Sequence, residues 1–194
     1  MSVVMYIHGF LSGPLSHKAQ ITKAWLSEHY PEVTYVCPQL SSYPGEAQAQ
    51  LMEVLAQYEG ENIFAVGSSL GGYWATYLLE QETIQKAVLV NPAVSPQSRL
   101  PEYIGRTVRS YYSEVSYQLS EKDMVDFERF DTKLITHPDR YWLMVQKEDE
   151  TLDYRQAVDK YSACRQLVEE GGNHSFEDYD KWLPSIAEFF WSEK

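Results

Sequence analysis

The sequence predicts an α/β fold: a mostly parallel six-stranded sheet with helices on both faces. Two observations lead there. Short apolar runs recur along the chain and stop at Gly, Pro or Asn, and longer stretches with apolar residues at helical spacing lie between them. One turn, Gly67-Ser68-Ser69-Leu70-Gly71, joins a run of the first kind directly to a stretch of the second. Alternation of this sort implies right-handed parallel crossovers, which put helices on the sheet's faces. The 194 residues are expected to form a single domain, 1–194, large enough to bury its own core without disulfides or metals.

Residues 3–7 form the first apolar run and end at His8-Gly9, as suits a strand buried on both sides. The stretch 16–29 carries Ile21, Trp25 and Leu26 on a helical stripe and is closed by Tyr30-Pro31. Residues 33–37 read as a second strand, stopped by Pro38. Pro44-Gly45 opens a helix with Ala47, Leu51, Val54, Leu55 and Tyr58 on one face, and Gly60 ends it. Residues 62–66 are the strand before Ser69, 73–79 the helix after it, and 87–90 a fourth strand ended by Asn91-Pro92. From about 93 to 140 the rhythm breaks. No buried strand is expected there, aromatic residues interleave with charges, and helices are expected around 103–112 and 121–130, so the segment reads as an inserted lid. The sheet resumes with 141–145, followed by a short helix at 154–161 and a last strand at 165–168. An amphipathic helix over 176–191 then packs back through Trp182, Ile186, Phe189 and Phe190.

Composition narrows the partners. Sixteen Lys plus Arg against 28 Asp plus Glu give a formal charge of -12, which disfavours nucleic acid or an anionic membrane. No apolar run of about 18 residues occurs, and the start lacks a basic, apolar, small-residue leader, so a cytoplasmic location without membrane insertion is expected. Cys37 and Cys164 stand far apart in strand-like surroundings, the pattern of packed, reduced thiols rather than a disulfide or metal site. No cofactor or metal is expected. Oligomeric state is left open.

A serine between glycines at a strand-to-helix turn is held exposed in a strained conformation, because side chains at the flanking positions would collide with the strand or helix. Ser69 is therefore the candidate nucleophile, with Gly67 and Gly71 shaping its turn. A serine hydroxyl needs a base within hydrogen-bond reach and a third group to orient that base. Of the five histidines, His174 in Gly171-Gly172-Asn173-His174-Ser175 follows the last strand, at the carboxyl edge where Ser69 also lies. The orienting acid should come from the loop after the penultimate strand. Asp149 is favoured, Glu148 and Glu150 remain alternatives, and Asp153 is read as a helix cap. Two amides should hold the developing oxyanion: that of Leu70, and that of Phe10 in the loop His8-Gly9-Phe10-Leu11. His8 and Gly9 are read as shaping that loop, and Gly72 as allowing close helix packing.

These residues, in the order serine, acid, histidine behind an early His-Gly loop, resemble the α/β-hydrolase fold over nearly the whole chain. Met5-Tyr6-Ile7-His8-Gly9-Phe10, Ser68-Ser69-Leu70-Gly71-Gly72-Tyr73, Asn91-Pro92-Ala93, Leu152-Asp153-Tyr154-Arg155-Gln156-Ala157 and Gly171-Gly172-Asn173-His174 are more narrowly similar to the small bacterial YqiA-like esterases. The resemblance implies a minimal hydrolase with carboxylic-ester hydrolase activity. Lys147-Glu148-Asp149-Glu150 departs from hydrolases generally in that no glycine precedes the acid, which leaves its register open.

The expected activity is hydrolysis of small to medium carboxylic esters through an acyl-enzyme. Two alternatives stand beside it. Thioester hydrolysis would use the same groups, and Arg99, Arg106 and Arg109 would then have to form a basic patch. A non-catalytic binding protein could also keep the scaffold. Of the lid rings Tyr103, Tyr111, Tyr112, Tyr117, Phe127 and Phe130, two or three are expected to face the site.

Overall fold

In the computed structural model, which describes residues 2–192, six parallel strands lie in the order β2-β1-β3-β4-β7-β8. These are β1 (Ser2–Ile7), β2 (Thr34–Val36), β3 (Asn62–Ser68), β4 (Lys86–Val90), β7 (Tyr141–Gln146) and β8 (Arg165–Glu169). Alternate side chains of each strand enter opposite layers, as the two-residue period of a strand requires. Val3, Met5, Ile63, Ala65, Leu89, Leu143 and Val145 pack under α2 (Pro44–Ala56), α3 (Leu70–Glu80) and α6 (Tyr154–Lys160). Val4, Tyr6, Phe64, Val66, Val88, Trp142 and Met144 pack under α1 (His17–His29) and α7 (Leu183–Trp191). Both faces are covered, and the near-continuous apolar strands of the sequence follow from that.

The strand order reverses between β1 and β3. The chain runs from β1 outward to β2 in one direction, then from β3 through β4 and β7 to β8 in the other. Loops leaving two such strands diverge and open a crevice at the carboxyl edge, where ligands of open α/β sheets bind. The loops after β1 and β3 are His8–Leu11 and Ser69, so the topology brings these two segments of the sequence together.

The segment between β4 and β7 contains more strand than the sequence suggests. Residues 96–99 form a helical turn, α4, which runs into a 3₁₀ turn at Leu100–Tyr103. The helix expected over 103–112 is absent. Its place is taken by a two-stranded antiparallel hairpin of β5 (Thr107–Arg109) and β6 (Ser116–Gln118). Gly105, at φ 74°, breaks any helix there, and β-branched Thr107 and Val108 favour extended backbone. The helix over 121–130 forms as α5 (Glu121–Phe130), started by a capping box in which Ser120 and Asp123 bond each other's backbone N–H. Tyr73 on α3 donates its hydroxyl to the Phe127 carbonyl at 2.5 Å and fixes α5 to the body.

The C-terminal helix also starts later than expected. Phe176 and Asp178 take left-handed backbone at φ 61° and 56°, a 3₁₀ turn follows at Tyr179–Trp182, and α7 begins only at Leu183 with Pro184 in its first turn. Cys37 and Cys164 are half-buried free thiols, pushed by burial up to about 12 and about 11 respectively. No helix among the described residues is long and apolar enough to cross a membrane.

Candidate active site

Ser69 sits between β3 and α3 at φ 54° and ψ -120°. A non-glycine residue is strained there by roughly 1–3 kcal/mol, and it stays only because its surroundings over-determine it. Its amide donates to the Val90 carbonyl at 3.0 Å, and its carbonyl accepts from Gly72 and Ala93, each at 2.9 Å. The flanking glycines are required by space. A Cβ on Gly67 would lie 2.3 Å from the Gly71 carbonyl oxygen, and one on Gly71 would lie 1.8 Å from the Ile7 carbonyl oxygen. Gly72 packs against Pro92, where a Cβ would meet Pro92 Cβ at 2.4 Å, so its role is close helix packing.

His174 reaches this serine from the loop after β8. Its Nε2 lies 3.1 Å from Ser69 Oγ, and its Nδ1 lies 2.8 Å from Asp149 Oδ2. Asp149 Oδ1 also accepts the backbone N–H of Thr151 and of Leu152, both at 2.8 Å, so the carboxylate is clamped before it meets the imidazole. Its side chain is only 2% exposed. With the carboxylate an acceptor, Nδ1 carries the proton and the Nε2 lone pair faces the serine hydroxyl. Among the three acids the sequence leaves open, Asp149 is the one bonded to the ring. Glu150 instead accepts the backbone N–H of His174 at 2.9 Å, a bond that holds its carboxyl below the ordinary value. Asp153 caps α6 by accepting from the Arg155 amide, as read.

His8 is buried and does not face the nucleophile. Its Nε2 accepts the Leu40 amide at 3.0 Å, so its Nδ1 carries a proton and donates to the Gly9 carbonyl at 2.9 Å. Burial lowers its pKa and favours the neutral ring. Gly9 lies against the nucleophile, with its missing Cβ 3.1 Å from Ser69 Cβ. Phe10 follows at the same edge, and Leu70 opens α3, where a helix's first amides lack intrahelical partners.

Two residues brace His174 in a way the sequence reading does not give, Asn91 being read there only as a strand end. Asn91, buried at φ 41°, donates to the carbonyls of Asn173 at 2.9 Å and His174 at 3.2 Å, and accepts the Gln146 amide at 3.0 Å. Gln146, also buried, donates to the Glu177 carbonyl and accepts the amides of Asn173 and Glu177. Each ends an apolar strand with an amide side chain, and that was the available signal: a polar group in a buried run must find partners.

Two cavities meet at Ser69, and Phe10, Tyr103 and Thr151 border both. The smaller, about 120 Å³, is walled by Leu70, Val94, Pro96, Leu100 and Leu152, with Arg99, Glu102 and Gln156 also on its lining. The larger, about 450 Å³, is lined by polar groups including Ser12, His17, Lys18, His174 and Ser175. Of the six rings in the insert, Tyr103, Tyr111 and Tyr112 line these spaces. Tyr117 packs edge-on to Tyr43, Phe127 on Tyr73, and Phe130 on Trp74 and Tyr77. No group of three or more His, Cys, Asp or Glu among the described residues could hold a metal ion.

The sequence model of an uncharacterised protein family, UPF0227, matches residues 3–191. Solved structures share the fold at low identity. Est1E from Butyrivibrio proteoclasticus with ferulic acid bound is 15% identical, with a TM-score of 0.72 over 97% of this chain and 88% of its own. Mouse alpha/beta hydrolase domain-containing protein 10 is 15% identical, with a TM-score of 0.72 over 96% and 88%. The monoacylglycerol lipase of Paleococcus ferrophilus is 16% identical, with a TM-score of 0.68 over 97% and 93%. At such identities the likeness is one of fold.

Proposed function

The chain belongs to the UPF0227 family and has the α/β-hydrolase fold, and on that premise we propose that it is a serine hydrolase cleaving small to medium carboxylic esters. The observation that carries this reading is the unbroken hydrogen-bond chain from Ser69 Oγ through His174 to the buried Asp149. A surface histidine has no reason to sit between a strained serine and a clamped carboxylate, whereas an acyl transfer needs that order.

Ser69 Oγ attacks the ester carbonyl carbon while His174 Nε2 takes its proton. The amides of Phe10 and Leu70 stabilise the oxyanion, each such donor contributing about 3–4 kcal/mol. As the tetrahedral intermediate collapses, the bond to the alcohol oxygen breaks and His174 returns the proton to it. Water, deprotonated by the same imidazole, then releases the acid and restores Ser69. Asp149 keeps the ring in the tautomer this requires and stabilises the imidazolium. The small apolar cavity suits a short acyl chain, and the insert at 93–140 serves as its lid. An oxygen ester is favoured over a thioester carrier because, of the three lid arginines, Arg109 is paired with Glu114 and Arg99 alone lines a cavity at Ser69, beside Glu102, so they form no shared basic patch there. The free thiols Cys37 and Cys164 support a cytoplasmic setting.

Labelling with a fluorophosphonate probe tests the reading. Wild type is expected to label and to turn over 4-nitrophenyl butyrate, and Ser69→Ala to do neither; equal labelling of the two proteins overturns the proposal.

A further inference from the structure

The larger cavity has a composition that the rest of the chain does not predict. The sequence holds 28 Asp and Glu against 16 Lys and Arg, yet none of the residues lining this cavity is acidic. Lys18, His17 and the hydroxyl-bearing Ser12 and Ser16 lie on its wall instead. Lys18 is half-buried, and its Nζ donates to the Ser175 carbonyl at 2.7 Å, one residue beyond His174. An ammonium has three donors, and Ser175 takes one. Burial lowers the Lys18 pKa to about 8 and the Asp149 carboxylate opposes the shift, so the group is a cation at neutral pH.

The two cavities can be assigned to the two halves of an ester by proton transfer alone. His174 must hand its proton to the leaving oxygen, so the leaving group has to depart on the side the imidazole borders. His174 lines the larger cavity, and the smaller one is built without it. The acyl half, which stays on Ser69, is left the smaller cavity, where apolar side chains predominate and the two charged lining residues, Arg99 and Glu102, are of opposite sign. Building on the serine-hydrolase reading, we propose that the larger cavity binds a leaving group carrying a negative charge, such as a carboxylate, with Lys18 as its partner. Against a protein field that repels anions overall, a local cation on a half-desolvated wall supplies the selectivity.

A matched pair of esters tests this: 4-carboxyphenyl butyrate and its neutral near-isostere 4-carbamoylphenyl butyrate, with kcat/KM measured on wild type, Lys18→Met and Lys18→Arg. Wild type should favour the carboxylate ester, Lys18→Met should lower the carboxylate-to-amide ratio about tenfold, and Lys18→Arg should retain most of it. If Lys18 only props the Ser175 carbonyl, both esters fall together and the ratio stays within twofold, which overturns the inference. A third ester, with the charge moved to the acyl half as a 4-carbamoylphenyl hemisuccinate, should not respond selectively to Lys18→Met; if it does, the assignment of the two cavities is wrong. Fluorophosphonate labelling of wild type without cleavage of either butyrate overturns this inference and leaves the nucleophile standing. Failure of both labelling and cleavage overturns the two together.

Discussion

The carboxyl edge of the sheet and the insert that covers it are built on different principles. At the edge, Ser69, Asn91, the pair Gln146 and Asp149, and His174 come from four separated stretches of chain and are locked by hydrogen bonds that cross from loop to loop. The insert is made of short local elements, and it exposes Tyr111 at 75%, Leu134 at 76% and Val125 at 63%. Its hairpin is tied to the body at the loop after β1, where the Tyr111 amide donates to the Leu11 carbonyl at 2.8 Å. On the proposed reading, chemistry that tolerates errors of well under an ångström sits on the over-determined region, and the region with few constraints is free to vary the substrate.

If that division is right, the largest effects lie at the edge. Asp149→Asn should keep the fold and lower kcat by about 10³–10⁴-fold, because the amide favours the wrong imidazole tautomer. Glu150→Gln keeps an acceptor for the His174 amide and should cost less than tenfold, and Glu148→Gln should cost nothing measurable. Steady-state kinetics on one ester ranks the three; a Glu150 or Glu148 effect above that of Asp149 would move the triad acid.

Which parts of this division were legible in the sequence follows from where the determining interactions lie. Strands buried on both faces advertise themselves as unbroken apolar runs, so the sheet and the order of its elements could be read. The turn at Ser69 was legible because steric exclusion at Gly67 and Gly71 leaves only one residue type. Asp149 could be ranked above its neighbours but not separated from Glu148 and Glu150, since the choice rests on a clamp by the amides of Thr151 and Leu152 that one residue of slippage would destroy. In the insert, a helix is expected around 103–112, and the chain forms a hairpin instead because Gly105 and the partner strand at 116–118 decide the matter. α7 starts later than its apolar stripe suggests for a similar reason: Phe176 and Asp178 adopt left-handed backbone, and apolar periodicity carries no trace of it. Lys18 was legible only as a residue on a helix, since its place beside Ser175 is fixed by tertiary contact across 157 residues.

A second test of the edge removes a brace and leaves the triad intact. Asn91→Ala strips three hydrogen bonds from the region around His174 and leaves the Gln146 amide without its acceptor. An unsatisfied buried group costs about 1–3 kcal/mol, so thermal unfolding should come roughly 2–10 °C earlier. Turnover of the folded protein should drop about 10–100-fold through kcat, with KM little changed, as for a base held less well. A loss of stability without any loss of kcat would make Asn91 a purely structural residue and weaken the view of the edge as a single locked unit.

The smallest effect is expected in the insert, and it should appear as selectivity. Tyr103 stands between the two cavities, with its ring 5.5 Å from that of Phe10, centroid to centroid. Truncation by Tyr103→Ala removes most of that partition on the insert's side while leaving Ser69, His174 and Asp149 untouched. The wall that limits acyl length is then lost, and a longer acyl chain can bend into the larger cavity. Each methylene accommodated in an apolar pocket is worth about 1 kcal/mol at best, and a reshaped, wetter pocket recovers only part of that. The octanoate-to-butyrate ratio of kcat/KM should therefore rise about 3–10-fold, while the rate of fluorophosphonate labelling changes less than the ratio does. Should labelling collapse instead, Tyr103 would belong to the catalytic edge, and the boundary between the two regions would have to be drawn on its other side.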